Sequence, residues 1–128
     1  MALGKQIGTA EYKIVSTTYI PGPGGAVTVQ INLEGTASGE LSGPVQGTIT
    51  VENPGGQSGT WSICAGIYPA DGKAIFVGVQ GTWETAGTYQ WRLKGLGQGP
   101  DGRTVAAEGR AEMANRTVTF KIYEWSGA

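Results

Sequence analysis

The sequence predicts an all-β protein, an eight-stranded antiparallel meander closed into a barrel. Three observations support this fold class. Apolar and polar residues alternate with a period of two along most of the chain, as in strands with one buried face. No window combines the i, i+3, i+4, i+7 apolar spacing with a preceding cap, so no helix is predicted. Glycine contributes 23 of 128 residues without a collagen repeat, which favours short strands joined by tight turns.

The alternation is clearest at residues 27–34, where four aliphatic side chains share one face and four polar side chains share the other. Such a segment is a strand buried on one side and wet on the other. The whole chain, 1–128, is long enough for one domain and too short for two of ordinary size. Eight strands are predicted, at residues 7–18, 26–38, 44–53, 59–68, 73–84, 88–96, 103–113 and 116–125.

Turn chemistry separates these segments. Pro69–Gly72 places proline and glycine as in a type I turn followed by a left-handed residue. Ala86–Gly87 is predicted as the next turn along the chain. Because the connections are short, neighbouring strands are expected to pair antiparallel in sequence order. Gly-Thr-Trp occurs at residues 59–61 and again at 81–83, so its two copies are expected on adjacent strands.

Closure into a barrel follows from what the sequence lacks. An open eight-stranded sheet would leave two free edges and one uncovered apolar face, and no helix is predicted to cover that face. Glycines inside the predicted strands would allow the sharp coiling that a small barrel needs. A two-sheet sandwich or jelly roll is the alternative.

Strand alternation assigns a side to most residues. The outward face collects nearly all the charged residues, and the inward face is apolar and aromatic. Cys64 falls on the outward face, and Glu124 is expected at the mouth of the barrel. The residues expected inside are Tyr12, Ile14, Val27, Val29, Ile31, Leu33, Val45, Ile49, Val51, Trp61, Ile63, Ile67, Ile75, Val77, Val79, Trp83, Tyr89, Trp91, Leu93, Val105, Met113, Val118, Phe120 and Ile122.

The interior residues differ widely in size. Gly35 and Ala37 on the second strand and Ala107, Gly109 and Ala111 on the seventh present little bulk. Large rings packed over them would fill the lumen, whereas an incomplete fit would leave an aromatic-walled cavity open at one end. Both outcomes are compatible with eight strands. The candidate ligand-binding residues are Tyr12, Trp61, Trp83, Tyr89, Trp91 and Phe120.

Composition excludes several chemistries. The chain has no histidine and one cysteine, which rules out histidine-based acid–base catalysis, catalytic triads and His- or thiolate-ligated metal centres. No catalytic residue, metal or cofactor is therefore predicted. The net charge of −1 argues against nucleic-acid binding. An unpaired cysteine without a leader or an apolar run of membrane-helix length predicts a soluble, cytoplasmic protein that does not bind membranes.

Two segments resemble a known group of proteins. Gly35–Gly39, together with Tyr68–Gly78 on the central hairpin, resembles the calycin-like small barrels and, among them, the allene-oxide-cyclase-like barrels. The resemblance covers most of the chain as a strand-and-glycine pattern and transfers no catalytic residue. Lipocalins usually have an N-terminal Gly-x-Trp, whereas here Gly-Thr-Trp lies mid-chain. The resemblance implies a barrel that carries an apolar ligand or guides a cyclisation.

Three functions follow as hypotheses. The first is a barrel that binds a small apolar molecule in its lumen. The second is a cofactor-independent cyclase or isomerase that acts by confinement and a tyrosine hydrogen bond. The third is a structural or assembly protein with a filled barrel and a homo-oligomeric outer face. Tyr123 and Trp125 would form a subunit contact if they face outward, or would lie inside if the last strand carries a bulge.

Overall fold

The computed structural model describes residues 3–125, and it confirms the predicted fold class. Eight antiparallel strands form one closed barrel, in which each strand pairs with its neighbours in sequence order and the last pairs with the first. The alternative of a two-sheet sandwich is therefore wrong. The strands are β1 (Leu3–Pro21), β2 (Val27–Gly39), β3 (Gly43–Glu52), β4 (Ser58–Ile67), β5 (Ile75–Gly87), β6 (Gln90–Gln98), β7 (Thr104–Glu112) and β8 (Thr117–Trp125).

The two ends of the barrel are built differently. The turns β2–β3, β4–β5 and β6–β7 and the beginning of β1 define the cavity end, which is open. The turns β1–β2, β3–β4, β5–β6 and β7–β8 define the packed end. A three-residue 3₁₀ turn, Pro23–Gly25, lies within the β1–β2 connection. Among residues 3–125, no helix has the length and apolar character needed to cross a membrane.

Two turns at the cavity end each contain an Asp-Gly pair whose glycine has a positive φ. In the predicted Pro69–Gly72 turn, the Gly72 amide donates to the Pro69 carbonyl at 3.2 Å, and Gly72 has a φ of +81°. In the β6–β7 turn, the Gly102 amide donates to the Gly99 carbonyl at 3.0 Å, and Gly102 has a φ of +85°. A positive φ is a conformation that glycine adopts without steric cost. Both turns therefore return the chain sharply into the next strand.

The β5–β6 turn corrects one predicted boundary. The two-residue turn is Thr88–Tyr89, whereas the sequence suggested Ala86–Gly87, because a register shift between Thr85 and Gly87 lets β5 run further. Tyr89 therefore lies outside the strands, with a φ of +53° and a side chain that is 69% exposed. The prediction that Tyr89 faces the lumen is wrong.

Two other inward predictions fail at the packed end. Met113 follows the last residue of β7, so its side chain leaves the barrel and is exposed. Val27 pairs with Pro21 of β1, but the pairing of β2 with β3 ends at Thr28, so Val27 has no neighbouring strand on its β3 side and is exposed. Alternation gives the side on which a residue lies, and burial also needs a strand beside it.

The remaining inward residues lie inside, buried or half-buried, and the charged residues lie outside as predicted. Val45, Ile49 and Val118 are the most completely buried large side chains. Cys64 is exposed on the outer face. Tyr123 and Trp125 are half-buried, and Tyr123 pairs with Ala106, an outward residue that is 4% exposed.

The end of β1 projects beyond the barrel. Its pairing with β8 ends at Lys13, whereas its pairing with β2 continues to Pro21. A register shift between Ile14 and Ser16 marks a bulge at Val15, which the sequence pattern did not predict. Within the described chain, residues 16–21 therefore pair on one side only.

Candidate functional site

The middle of the barrel is filled by aromatic rings. Trp61 and Phe120 stack with centroids 5.5 Å apart and planes at 30°. Tyr12 meets Phe120 edge to face, with centroids 6.2 Å apart and planes at 87°. Offset or edge-to-face contacts add to the free energy gained by burying the rings. These three side chains close the lumen between the packed end and the cavity end.

The repeated Gly-Thr-Trp segments pair with each other. Gly59 lies opposite Trp83, Thr60 opposite Thr82, and Trp61 opposite Gly81, so each tryptophan has the other copy's glycine as its partner. The Trp83 indole lies on Gly59, where an added Cβ would come within 2.6 Å of its Nε1, and that nitrogen donates to the Glu52 carbonyl at 3.2 Å. The repeat therefore serves the packing of two large rings.

Trp61 crosses in the opposite direction, over β5 and β6. Its Nε1 lies 3.0 Å from the Thr82 carbonyl and 3.2 Å from the Lys94 carbonyl. An added Cβ at Gly95 would lie 2.9 Å from its Cζ2, so glycine at this position makes room for the ring. Both buried indole N–H groups thus have backbone acceptors, as buried donors require.

Between this aromatic layer and the cavity end lies a cavity of about 220 Å³. Its wall is mostly aliphatic and comes from all eight strands. The buried or half-buried residues that line it include Ala10, Tyr12, Ala37, Val45, Ile67, Val77, Val79, Val105 and Ile122.

Small residues on two paired strands create the space. Ala10 lies opposite Ala37, and Gly8 lies opposite Gly39, so β1 and β2 contribute little volume at this level. The small residue Gly109 leaves no open space, because the Phe120 ring lies on it. An added Cβ at Gly109 would come within 2.5 Å of that ring. The lumen is thus filled at one end and hollow at the other, and both outcomes left open by the sequence occur.

Tyr12 is the deepest residue that β1 contributes to the cavity wall. It is 6% exposed, and none of the side-chain hydrogen bonds within residues 3–125 involves its hydroxyl. Burial raises the pKa of Tyr12 from 10.0 to about 12, because the phenolate would lose its hydration. At neutral pH the cavity floor therefore offers a neutral hydroxyl that can donate or accept a hydrogen bond.

The mouth of the cavity carries an ion-pair cluster centred on Arg103. Its guanidinium lies 2.6 Å from Glu40, 3.0 Å from Asp101 and 3.6 Å from Glu124. Glu40 belongs to the β2–β3 turn and Arg103 to the β6–β7 turn, which stand opposite each other in a ring of eight strands. The Glu40–Arg103 pair therefore spans the mouth.

The β6–β7 turn also fixes the backbone from which Arg103 projects. Oδ1 of Asp101 accepts a hydrogen bond from the Arg103 backbone N–H at 3.1 Å, and Oδ2 of Asp101 lies beside the Arg103 guanidinium. The hydrogen bond to Glu40 raises the pKa of Arg103 above its ordinary value, and the charges of Asp101, Glu40 and Glu124 act in the same direction. Arg103 therefore stays charged, and the cluster has three carboxylates for one cation.

The predicted site residues separate into distinct groups. Tyr12 lines the cavity. Trp61, Trp83 and Phe120 are buried in the filled part of the lumen, and Trp91 is half-buried against the same core, so none of these four lines the cavity. Tyr89 lies outside. That the buried rings contact a ligand stays a prediction.

The mouth residues Glu40, Asp101 and Arg103 were not predicted. Glu124 was expected at the mouth, and it is there. Asp101–Gly102 has the sequence of a tight turn, and its position just before β7, a strand that begins at the cavity end, was the available signal. Glu40 carried no local signal, because its approach to Arg103 depends on closure of the barrel over 63 residues.

A larger depression of about 530 Å³ lies on the outer surface over Gly109. It is the space between outward side chains, among them Arg92, Lys94 and Arg110, and it exposes the edge of Phe120. The cavity in the lumen is smaller but more enclosed and mostly apolar, which are the properties of small-molecule sites. Within residues 3–125, no group of three or more Cys, Asp or Glu side chains is placed to hold a metal ion.

Together, the fold and the cavity define a small eight-stranded antiparallel meander barrel with a half-filled lumen. No protein-family model matches this chain, and no curated protein or solved structure gives a significant match to it.

Proposed function

We propose that this protein binds a compact, largely apolar molecule in the cavity at the open end of the barrel. The observation that carries the proposal is the cavity itself, a space of about 220 Å³ with a mostly aliphatic wall and an open mouth. An apolar cavity of roughly 150 Å³ accepts benzene, and pockets for drug-sized ligands begin at about 300 Å³. The cavity therefore suits a ligand of roughly nine to eleven non-hydrogen atoms.

The resemblance to calycin-like and allene-oxide-cyclase-like barrels belongs to the same proposal. Barrels of that kind carry apolar ligands or guide cyclisations, and both activities need an open, hollow end. In the proposed complex, the aliphatic wall supplies the free energy of binding by removing apolar ligand surface from water. The aromatic layer of Trp61 and Phe120 limits how deep the ligand can enter.

The test is a titration with indole, which has nine non-hydrogen atoms. Binding is monitored through the backbone amide signals in NMR spectra. We expect saturable shifts at Val77 and Val79 on β5 and at Ala37 on β2, all in the cavity wall. In Ala37→Leu the larger side chain would occupy the cavity, so indole binding should fall at least tenfold. Ala74→Leu, at an exposed position, is the matched control and should bind as the parent does.

Thermal unfolding of Ala37→Leu separates loss of space from loss of fold. A variant that fills a cavity keeps or gains stability, so a Tm equal to or above the parent with no indole binding supports the proposal. If indole, benzene and naphthalene cause no shift in the parent, the cavity does not bind apolar ligands. A structural role with a solvent-filled opening would then be favoured.

The unpartnered hydroxyl of Tyr12 favours a second candidate, a cofactor-independent cyclase or isomerase. A hydroxyl held in an apolar site can stabilise charge that develops on a confined substrate. Isomerisation leaves the mass unchanged, so conversion of unsaturated compounds that bind would be followed by NMR. Tyr12→Phe should lower turnover while affinity largely survives, and Tyr68→Phe, on the outer face, should change neither. Equal turnover in all three proteins would exclude this role for Tyr12.

A further inference from the structure

Two polar features mark opposite ends of the cavity. Tyr12 is more than nine-tenths buried and lines the cavity, and its hydroxyl has no partner among residues 3–125, whereas the buried indoles of Trp61 and Trp83 both have backbone acceptors. No buried side-chain nitrogen or oxygen within residues 3–125 lacks a partner, so the Tyr12 hydroxyl is within reach of water in the cavity. A ligand that displaces this water without replacing its hydrogen bond would leave the hydroxyl unpaired, which lowers affinity. The cavity floor therefore favours a ligand with an oxygen at its inner end.

The opposite end of the cavity is acidic. Glu40, Asp101 and Glu124 surround Arg103, which leaves a formal charge of −2 in the cluster. Asp71, Lys73 and Lys5 also lie towards this end but form no ion pair with the cluster, and with them the formal charge of this end is −1. An anionic ligand group would have to displace a carboxylate from Arg103, whereas a cationic group would reduce the excess negative charge.

From these two features we propose that the ligand is a compact apolar amine, with an ammonium group at the mouth and a hydrogen-bonding oxygen at the cavity floor. The inference rests on the proposed function and names its ligand class. The ammonium group would lie beside Glu124 and Asp101, and the oxygen would accept or donate a hydrogen bond at the Tyr12 hydroxyl. Glu124 does not line the cavity, but it has the longest contact with Arg103, at 3.6 Å, so its charge is the least neutralised by the guanidinium.

Four probes of similar size test the two groups separately: tyramine, its neutral alcohol tyrosol, its anionic analogue 4-hydroxyphenylacetate, and 2-phenylethylamine, which lacks the ring hydroxyl. Binding would be measured by calorimetry at low ionic strength. We expect tyramine to bind about threefold to tenfold more tightly than tyrosol, because partly exposed charges interact modestly in water. Tyrosol should bind more tightly than 4-hydroxyphenylacetate. The preference for tyramine over tyrosol should shrink at high salt.

Variants assign each preference to its residue. Glu124→Gln should reduce the preference for tyramine over tyrosol, and Arg103→Gln should increase it because the cluster becomes more negative. Glu84→Gln removes one negative charge at an outer-face pair with Arg92 and is the matched control. The parent should bind tyramine about threefold to tenfold more tightly than 2-phenylethylamine. Tyr12→Phe should abolish this advantage in affinity. Tyr68→Phe should leave that advantage intact.

The outcomes distinguish this inference from the function on which it rests. If tyrosol binds in the cavity as tightly as tyramine, or less tightly than 4-hydroxyphenylacetate, the cationic ligand class is wrong while cavity binding stands. If Tyr12→Phe leaves the ring-hydroxyl preference unchanged, the role of the Tyr12 hydroxyl is wrong. If none of the four probes, indole or benzene binds, both the proposed function and this inference fail.

Discussion

Single glycines decide how closely neighbouring strands approach each other in this barrel. Gly81 lies opposite Trp61, and a Cβ there would collide with the Lys94 carbonyl, a backbone atom that cannot move independently. Gly78 lies on the same strand, but a Cβ there would meet nothing closer than 3.8 Å. Two glycines of one strand therefore have different roles, one for close packing and one without a packing requirement.

We expect Gly81→Ala to lower the free energy of unfolding by about 1–3 kcal/mol or more, as overpacking does. Gly78→Ala, the matched control, should change it by less than about 1 kcal/mol and in the stabilising direction, because alanine restricts the unfolded chain. Urea denaturation measures both. Equal effects of the two substitutions would contradict the packing role of Gly81.

Tyr12 makes the free energy of unfolding depend on pH in the alkaline range. Burial raises the pKa of Tyr12 to about 12 from 10.0, so the folded protein holds its proton more tightly than the unfolded chain does. The stabilisation is complete below pH 10 and is lost as pH rises from 10 to about 12. The loss amounts to about 2–3 kcal/mol. Tyr12→Phe should remove this part of the pH dependence, measured as unfolding free energy at pH 9 and 11.5, roughly the limits of the window.

Tyr68→Phe is the comparison for that experiment, since Tyr68 is on the outer face and packs against Phe76 with centroids 6.5 Å apart. An unchanged slope in Tyr12→Phe would mean that the Tyr12 hydroxyl is better solvated than its position in the lumen indicates.

At the level of elements, the projecting end of β1 is the exception to a closed barrel. Residues 15–21 contain no charge, and Val15, Tyr19 and Ile20 are exposed large hydrophobic residues. Exposed strand edges usually carry a lysine or a similar device that prevents pairing with another chain. Pro21 is the one such device in this segment, and it lies at the end of the strand.

Ile20→Lys should therefore lower self-association and heat-induced aggregation several-fold, measured by sedimentation velocity and by light scattering during a thermal ramp. A charge in an edge strand opposes edge-to-edge pairing. Ser62→Lys is the control, because Ser62 is exposed on β4 but its strand is paired on both sides. Equal suppression by both lysines would indicate a general effect of net charge. The homo-oligomer remains a prediction in either case.

At the level of the whole molecule, the lumen divides into a filled part and a hollow part. The aromatic layer ties β1, β4 and β8 together through the contacts of Trp61, Phe120 and Tyr12. The Glu40–Arg103 pair crosses the mouth of the hollow part and joins turns on opposite sides of the barrel. A ligand that enters from the cavity end has to pass this pair.

Glu40→Gln should therefore increase the association rate of indole with little change in affinity, because Arg103 would lose its shortest ion-pair contact across the mouth. Stopped-flow mixing with the parent, with Glu40→Gln and with the outer-face control Glu84→Gln would measure this. We expect an increase of about threefold or more, of the size that one exposed ion pair can supply. Equal rates in all three proteins would mean that the Glu40–Arg103 pair does not limit entry.

The sequence by itself determined the eight strands, their order and the side on which most residues lie, because period-two alternation and turn chemistry are local properties. It placed Tyr12 inside and Glu124 at the mouth by the same rule. It misplaced Tyr89 because the β5–β6 turn is Thr88–Tyr89, two residues after the predicted turn Ala86–Gly87. The cause is a register shift between Thr85 and Gly87, which the sequence pattern does not reveal. Strand boundaries depend on pairing, which no single segment contains.

The tertiary structure alone decided which small residues seat a ring and which leave space. Gly109 and Ala37 are both small residues on the inward face of a strand, yet Phe120 covers the first and nothing fills the volume beside the second. The same holds for Arg103, whose three carboxylates come from β8 and from turns on opposite sides of the mouth. The lumen volume and the charge at its mouth are sums over all eight strands, so they exist only after the barrel has closed.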